Sequence, residues 1–556
     1  MPKRHLSIAI ALFLSAFLTG CATAAPTPYL VTATPLATAT FTPPPAPTSD
    51  TLLSFSLTLI AQATNSTPVT PEPTTTRQPQ PTLTPILAPT QESATAIPAD
   101  TTAPLPTATP TAVQPFLTPT QPTPASGPAP EIIETTISIL TYPWRDHLKA
   151  TSPGDPIYPY PRLDYDPNTF VLPPPIETAY KAVVLENQFV RLTFLPELGG
   201  RLYRWEDKLT GRNVLYNNPV IRPVGWGVRG WWLPVGGIEW SLPLEDHGLV
   251  EWRPWAHTTA TASDSASVTV STTDERTGLA VSIKITLDSA HSYFTLTPTL
   301  RNPTATPIQY QFWTTAVAAP AGDNRAGDDL RFNVPVKAMV VHSTDDKSLP
   351  PIGQTFSWPS HNGRDMSVYG NWREFLSVFG SPSAGQPFAG LYAPGADQGF
   401  VRIFPLEVTR GVKLFGPGSL PSWVWTSDDS SYVELWGGLT PNFSENATLA
   451  AGASLTWTEH WYPFHGVGDV VWADRGMALA LEEANNVVTV GLYTTSAQLL
   501  QVSLVVGGSL EAQSWPVVAN QVGAWSADWA RTVTGPLEVR VVDVNGTVLA
   551  RYSPTP

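Results

Sequence analysis

Alternation of apolar and polar residues with a period of two is what most narrows the folds open to this chain. In FVRLTFL, residues 189–195, Phe189, Val190, Leu192 and Phe194 are set against Arg191 and Thr193. In LAVSIKITL, residues 279–287, Leu279, Val281, Ile283, Ile285 and Leu287 take alternate places. Successive side chains of a strand point to opposite faces, so such runs describe half-buried antiparallel strands. They recur from about Glu131 onward, separated by Asn, Gly, Pro and Asp, with hardly any sustained helical spacing. The class is all-β, a large sandwich.

The first 130 residues have a different composition. MPKRHLSIAIALFLSAFLTGC starts basic, at Lys3 and Arg4, and continues into an apolar run from Ile8 to Phe17 that is short for a membrane span. Residues 1–20 read as a signal peptide whose end, LTGC, resembles the lipobox of bacterial lipoproteins, with Cys21 as the lipidated residue. Cys21 is the only cysteine, so no intramolecular disulfide forms. Residues 21–130, rich in Thr, Pro and Ala, read as a disordered tether, because frequent prolines remove ladder donors and leave little to bury. Within it, DTLLSFSLTLIAQATNS at 50–66 has the spacing of a marginal helix. The expected location is outside the cytoplasm, anchored to the envelope by lipid.

Several function classes fall away. A formal charge of −14 and a pI near 5.1 argue against nucleic acid, or a membrane surface beyond the lipid anchor, as partner. GWGVRG, at 225–230, fits the glycine fingerprint of dinucleotide sites but follows Pro223 and runs into WWLP, without the strand and helix that the mechanism needs. GxSxG, HExxH and cysteine pairs are absent from the sequence. Asp323, Asp328, Asp329, Asp428 and Asp429 lack calcium-loop spacing and read as solvated loop carboxylates. No cofactor and no metal is assigned.

The stronger signal is aromatic. RGWWLPVGGIEWSLP, residues 229–243, gathers three of the chain's twenty tryptophans around Glu239. An indole face packs against the C–H face of a sugar ring while carboxylates, amides and guanidinium groups take its hydroxyls. Glu239, Arg229, Asp246, His247, His361 and Asp365 lie among such indoles, which points to a glycan cleft. Its candidate binding residues are Arg229, Trp231, Trp232, Trp240, His247, His361, Asp365, Trp372 and Trp436. Large sandwiches also use indoles as core, so a structural envelope or adhesion protein stays open.

Residues 131–465 form the candidate sugar-handling domain. From about Gly466 a second unit, 466–556, carries strand-like runs such as VVTVGLYTT and LLQVSLVVGG, the size of a small sandwich. Asn545 and Gly546 are expected to supply the positive φ values of a tight hairpin there.

From about Val183 to Phe464 the order of motifs resembles an uncharacterised bacterial family of galactose-mutarotase-like domains, often attached to tetratricopeptide repeats. The carrying stretches are LENQFVRLTFLPELGGRLYRWEDKLTGRNVLYNNPVIRP, RGWWLPVGGIEWSLPLEDH, SWPS, and YVELWGG followed by LTWTEHWYPF. The resemblance implies a β-supersandwich that binds carbohydrate or acts on it. It also implies that Glu434, in YVELWGG, matches the base of aldose epimerases. Their acid histidine would fall near QYQFWTTAVAAPAG, where there is none, so simple mutarotation is disfavoured. Two carboxylates facing one pocket would serve glycoside hydrolysis instead, with Glu239 and Glu434 as the catalytic pair and the one among indoles keeping its proton. The partner is therefore an oligosaccharide or polysaccharide, bound alone or also cleaved.

Overall fold

A computed structural model describes residues 127–382, 386–514, 522–530 and 534–554. The signal peptide, Cys21, the helical run at 50–66 and the tether up to Ser126 lie outside the described residues.

The described chain is all-β, with four short 3-10 turns as its helical elements. Two large sheets form the sandwich. The larger has thirteen strands, and its central portion runs in the order Ala338–Thr344, Leu376–Gly380, Gly411–Gly416, Val433–Gly438, Trp313–Ala318, Gly237–Ser241, Arg201–Asp207. The smaller has nine strands, among them Ser265–Thr273, Ala280–Asp288, Phe294–Arg301, Glu459–His465 and Gln398–Ile403. Pairing is antiparallel throughout except between Glu131–Thr141 and Val220–Ile221 at one edge.

Alternation decides what lies between the sheets. Ile238, Trp240, Ala316, Leu414 and Leu435 of the larger sheet meet Val268, Ile283, Leu296, Phe400 and Trp461 of the smaller in one apolar core. That core also encloses an ion pair. Arg402 donates to both oxygens of Glu459 at 2.7 Å, and the indoles of Trp457 and Trp461 donate to the same carboxylate at 2.9 and 3.1 Å. With every carboxylate oxygen satisfied, the pair is held in a fully buried place that an unpaired charge could not occupy.

The glycine pair of YVELWGG follows from this packing. A Cβ on Gly437 would lie 2.0 Å from the guanidinium carbon of Arg402, on the interior side. One on Gly438, facing the other way, would lie 2.3 Å from the Trp313 ring. Both sides of the strand are occupied, so neither position has room for a side chain.

Residues 470–552 build two four-stranded sheets with a separate apolar cluster that includes Leu479, Val490, Val502 and Val539. Tyr493, Ala478 and Val470 pack on Phe388, Tyr392, Tyr462 and Phe464, and so cover the outer face of the smaller sheet. The hairpin expected at 545–546 is present, joining Leu537–Asp543 to Val548–Tyr552, but only Gly546 has positive φ there; a pair of positive φ values, 52° and 60°, occurs instead at Asn485 and Asn486 in the hairpin between Met477–Ala484 and Val487–Thr494. The Asp543 carboxylate accepts from the backbone N–H of Asn545 and Thr547, and shapes a looser bend.

Candidate functional site

The site stands on the outer face of the larger sheet. Thr315 pairs with Glu239 on one side and Trp436 on the other, Trp436 pairs with Lys413, and Lys413 pairs with Phe379. Paired residues project to the same side, so five adjacent strands present Glu239, Thr315, Trp436, Lys413 and Phe379 as one row. Glu434, two residues from Trp436, belongs to the next row beside Val317 and Phe415. Two aromatic clusters flank these charges: Trp232, Tyr216, Trp425 and Tyr432 on one side, Trp313, Phe379 and Trp436 on the other.

Local backbone places the carboxylates. Gly236 and Gly237 both have positive φ, and a Cβ on either would fall within 2.5 Å of the carbonyl oxygens of Tyr216 and Leu202. Two glycines let the chain pass that closely and turn Glu239 to the outer face. The loop after the strand then folds back, Leu249 donating to the Leu242 carbonyl at 2.8 Å, and lays His247 over Glu239. Asp246, before it, is a non-glycine residue held at φ 58°.

Glu239 is completely engaged. One oxygen is bonded to His247 Nδ1; the other accepts from the Trp232 indole at 3.2 Å and lies 3.5 Å from Arg201 Nη1. Arg201 itself donates to the carbonyls of Leu198, Gly236 and Glu251. The His247 ring stacks on Trp232 with centroids 4.0 Å apart, and Trp226 stacks behind Trp232 at 6.1 Å. Burial opposes charge on Glu239, but the His247 and Arg201 cations and the indole N–H outweigh it and hold the carboxyl below its ordinary value. Burial likewise opposes charge on His247, yet Glu239 and Asp246 push the imidazole up to about 9.

Glu434 has fewer partners. The Trp436 indole donates to it at 2.7 Å, and Lys413 Nζ lies 3.8 Å away. Lys413 Nζ is also 3.8 Å from the Trp436 ring centroid, a cation–π contact. Burial raises the Glu434 carboxyl and lowers the Lys413 ammonium, each opposed by the charge of the other. Both carboxylates accept from an indole, so the surroundings that the sequence offers do not separate them; the cations beside Glu239 lower its carboxyl, whereas burial raises that of Glu434. His342, also in this group, is pushed down to about 4 by burial and by Lys413.

Of the sequence candidates, Glu239, Glu434, Trp232, His247 and Trp436 come together. Trp240 does not: it follows Glu239 on a strand, faces the opposite way into the core, and donates to the Gly200 carbonyl at 3.1 Å. Arg229 is bound to both oxygens of Glu251 and covers Trp231 at 3.7 Å, in a separate buried cluster with Trp144 and Trp252. His361 and Asp365 lie on a hairpin beyond the far edge strand Thr355–Ser357, and Trp372 stacks on Phe332 within the core. Sequence reasoning missed Lys413, His342, Arg201 and Trp226. Lys413 alone had a signal, the alternation of VKLF against a buried Val412 and Leu414. Asp246 shows 30% of its side chain to solvent and His247 8%, while Trp226, His342, Phe415 and Phe443 are half-buried at the rim. Among the described residues no group of three or more His, Cys, Asp or Glu is arranged to hold a metal ion.

Comparison with known proteins places the chain. A tetratricopeptide-domain protein of Parabacteroides distasonis ATCC 8503 is similar in structure, with TM-score 0.52 and 23% identity over 62% of this chain. The chain spans only 57% of that protein's length. A galactose mutarotase-like protein of Clostridium acetobutylicum aligns at 13% identity and TM-score 0.39, over 52% of this chain and 96% of its own. Another from Lactobacillus casei ATCC 334 aligns at 11% and 0.34, over 51% and 99%. The family model described as a domain of unknown function, DUF5107, matches residues 153–464, more than half of the sequence, and the chain belongs to that family.

Proposed function

We propose that the outer face of the larger sheet binds carbohydrate and that the protein does so as an exported lipoprotein tethered through Cys21. The observation that carries the first part is the Glu434–Lys413–Trp436 unit beside the His247–Trp232 stack. Unlike the buried Arg402–Glu459 pair, whose oxygens are all hydrogen-bonded, Glu434 and Lys413 are buried with few partners, as groups kept for a ligand would be, and aromatic walls with convergent polar groups suit a sugar ring. Export rests on the sequence alone.

A second reading is favoured by one specific observation. His247, delivered by a loop rather than by the strand at 309–322, stands 5.1 Å from Trp436 and senses the charge of Glu434. It holds a proton at neutral pH and supplies the acid that an epimerase-type reaction needs opposite a Glu434 base. Hydrolysis by a Glu239 and Glu434 pair is less favoured, because both oxygens of Glu239 are committed to His247, Trp232 and Arg201. Glu239 is better read as the residue that positions and charges His247.

Calorimetric titration of the mature chain with a panel of mono- and oligosaccharides tests the binding. Saturable binding, weakened at least about tenfold in Trp232→Ala and Lys413→Met, is the expected result. Failure of the wild type to bind any saccharide in the panel would overturn it. Anomer exchange measured by NMR separates the second reading: Glu434→Gln and His247→Gln should each slow it by about 10²–10⁴. Binding without exchange leaves a binding protein.

A further inference from the structure

Two cavities share Gly370 in their walls, and resting on the carbohydrate reading we infer that they form one groove for an acidic oligosaccharide. The first, about 260 Å³, is lined by Asp328, Tyr369, Trp372, Leu420, Ser422 and Trp425 among others. Leu420 and Trp425 also belong to the aromatic cluster that holds Trp232 and Tyr432, so this cavity shares a wall with the rings that flank the site. The second, about 520 Å³, is lined by Asn362, Arg364, Asp365, Asn371 and Arg373 with neighbouring glycines. Gly370 is part of both walls, so the two cavities adjoin. Together their size falls in the range of ligand clefts, about 300–1,000 Å³.

The chemistry of the walls selects the ligand. The Trp425 ring forms part of the wall of the first cavity, with its N–H buried beside the Tyr216 hydroxyl. Ring edges and the exposed Asp328 carboxylate suit a hydroxyl-rich pyranose there. In the second cavity the charges are mostly consumed. Arg364 is paired with Asp346 at 2.7 Å; Asp365 accepts from the backbone and hydroxyl of Ser367 and lies 4.0 Å from Arg331. Arg373 is exposed and makes no ion pair or hydrogen bond with the described residues. In a chain of net charge −14 an uncommitted guanidinium facing a polar cavity is a docking point for a carboxylate or sulfate group. The groove therefore takes a neutral sugar unit near Trp425 and an acidic one over Arg373.

The test uses the full mature chain and neutral, uronate-containing and sulfated oligosaccharides of one to six units, titrated at low and high salt. Acidic oligomers of three or more units should bind at least about tenfold tighter than neutral ones of equal length, with the advantage shrinking in high salt. Arg373→Ala, a surface change, should erase that preference and leave monosaccharide affinity unchanged. The uronate and sulfate arms identify the anion. Equal affinity for neutral and acidic oligomers, or a preference that survives in Arg373→Ala, would overturn the groove while monosaccharide binding keeps the site reading intact. Absence of binding by every saccharide removes both.

Discussion

His247 takes its properties from contacts that no local motif announces. Its partner Glu239 is eight residues upstream, and Arg201, which shares that carboxylate, is 38 residues before Glu239. That distance is why indole-rich surroundings alone do not tell which carboxyl the cations lower. The linkage to stability has a definite sign. A histidine raised from 6.5 to about 9 contributes stability in full below 6.5 and loses it as pH rises through about 9. The depressed Glu239 carboxyl contributes above its ordinary 4.5 and loses that as pH falls, so the pair is at full strength between about 4.5 and 6.5. Urea titrations at a series of pH values should show wild-type stability declining from pH 6.5 to about 9, with His247→Gln flattening the decline. Identical slopes in the two proteins would remove the ion pair from the account.

At the scale of strands, period-two spacing carried most of what could be read. It gave the class, and applied to Glu239 and Trp240 it also says that two successive residues cannot line one hollow. Grouping indoles by closeness in sequence passes over that constraint, and for this reason Trp231 and Trp240 appear with Trp232 in the sequence reading yet belong to other clusters. The glycines of YVELWGG are visible in sequence, but their cause, a guanidinium on one side and an indole on the other, comes from residues 35 and more than 100 positions away. Gly437→Ala must displace Arg402 from Glu459 or move the strand. It should cost about 1–3 kcal/mol or more by urea unfolding, although the new methyl group is among the smallest changes available. A stability within a few tenths of the wild type would mean that the sheets separate there more easily than the packing implies.

For the whole molecule, the sandwich and its β-rich tail follow from composition and alternation, whereas the way they join does not, because Tyr462 and Phe464 look like any other strand aromatics until Tyr493 is seen against them. The tether and its lipid are claims at this scale. Cells expressing the protein and labelled with palmitate should give a labelled band that fractionates with membranes, and Cys21→Ala should lose the label and enter the soluble fraction. An unlabelled wild type in the soluble fraction would sink the anchor. The tail, spread over the outer face of the smaller sheet, gives the sandwich a back that its own chain has taken. A label or support attached after Tyr552 would thus hold the protein from behind, leaving the charged and aromatic front free to meet whatever polymer is passed over it.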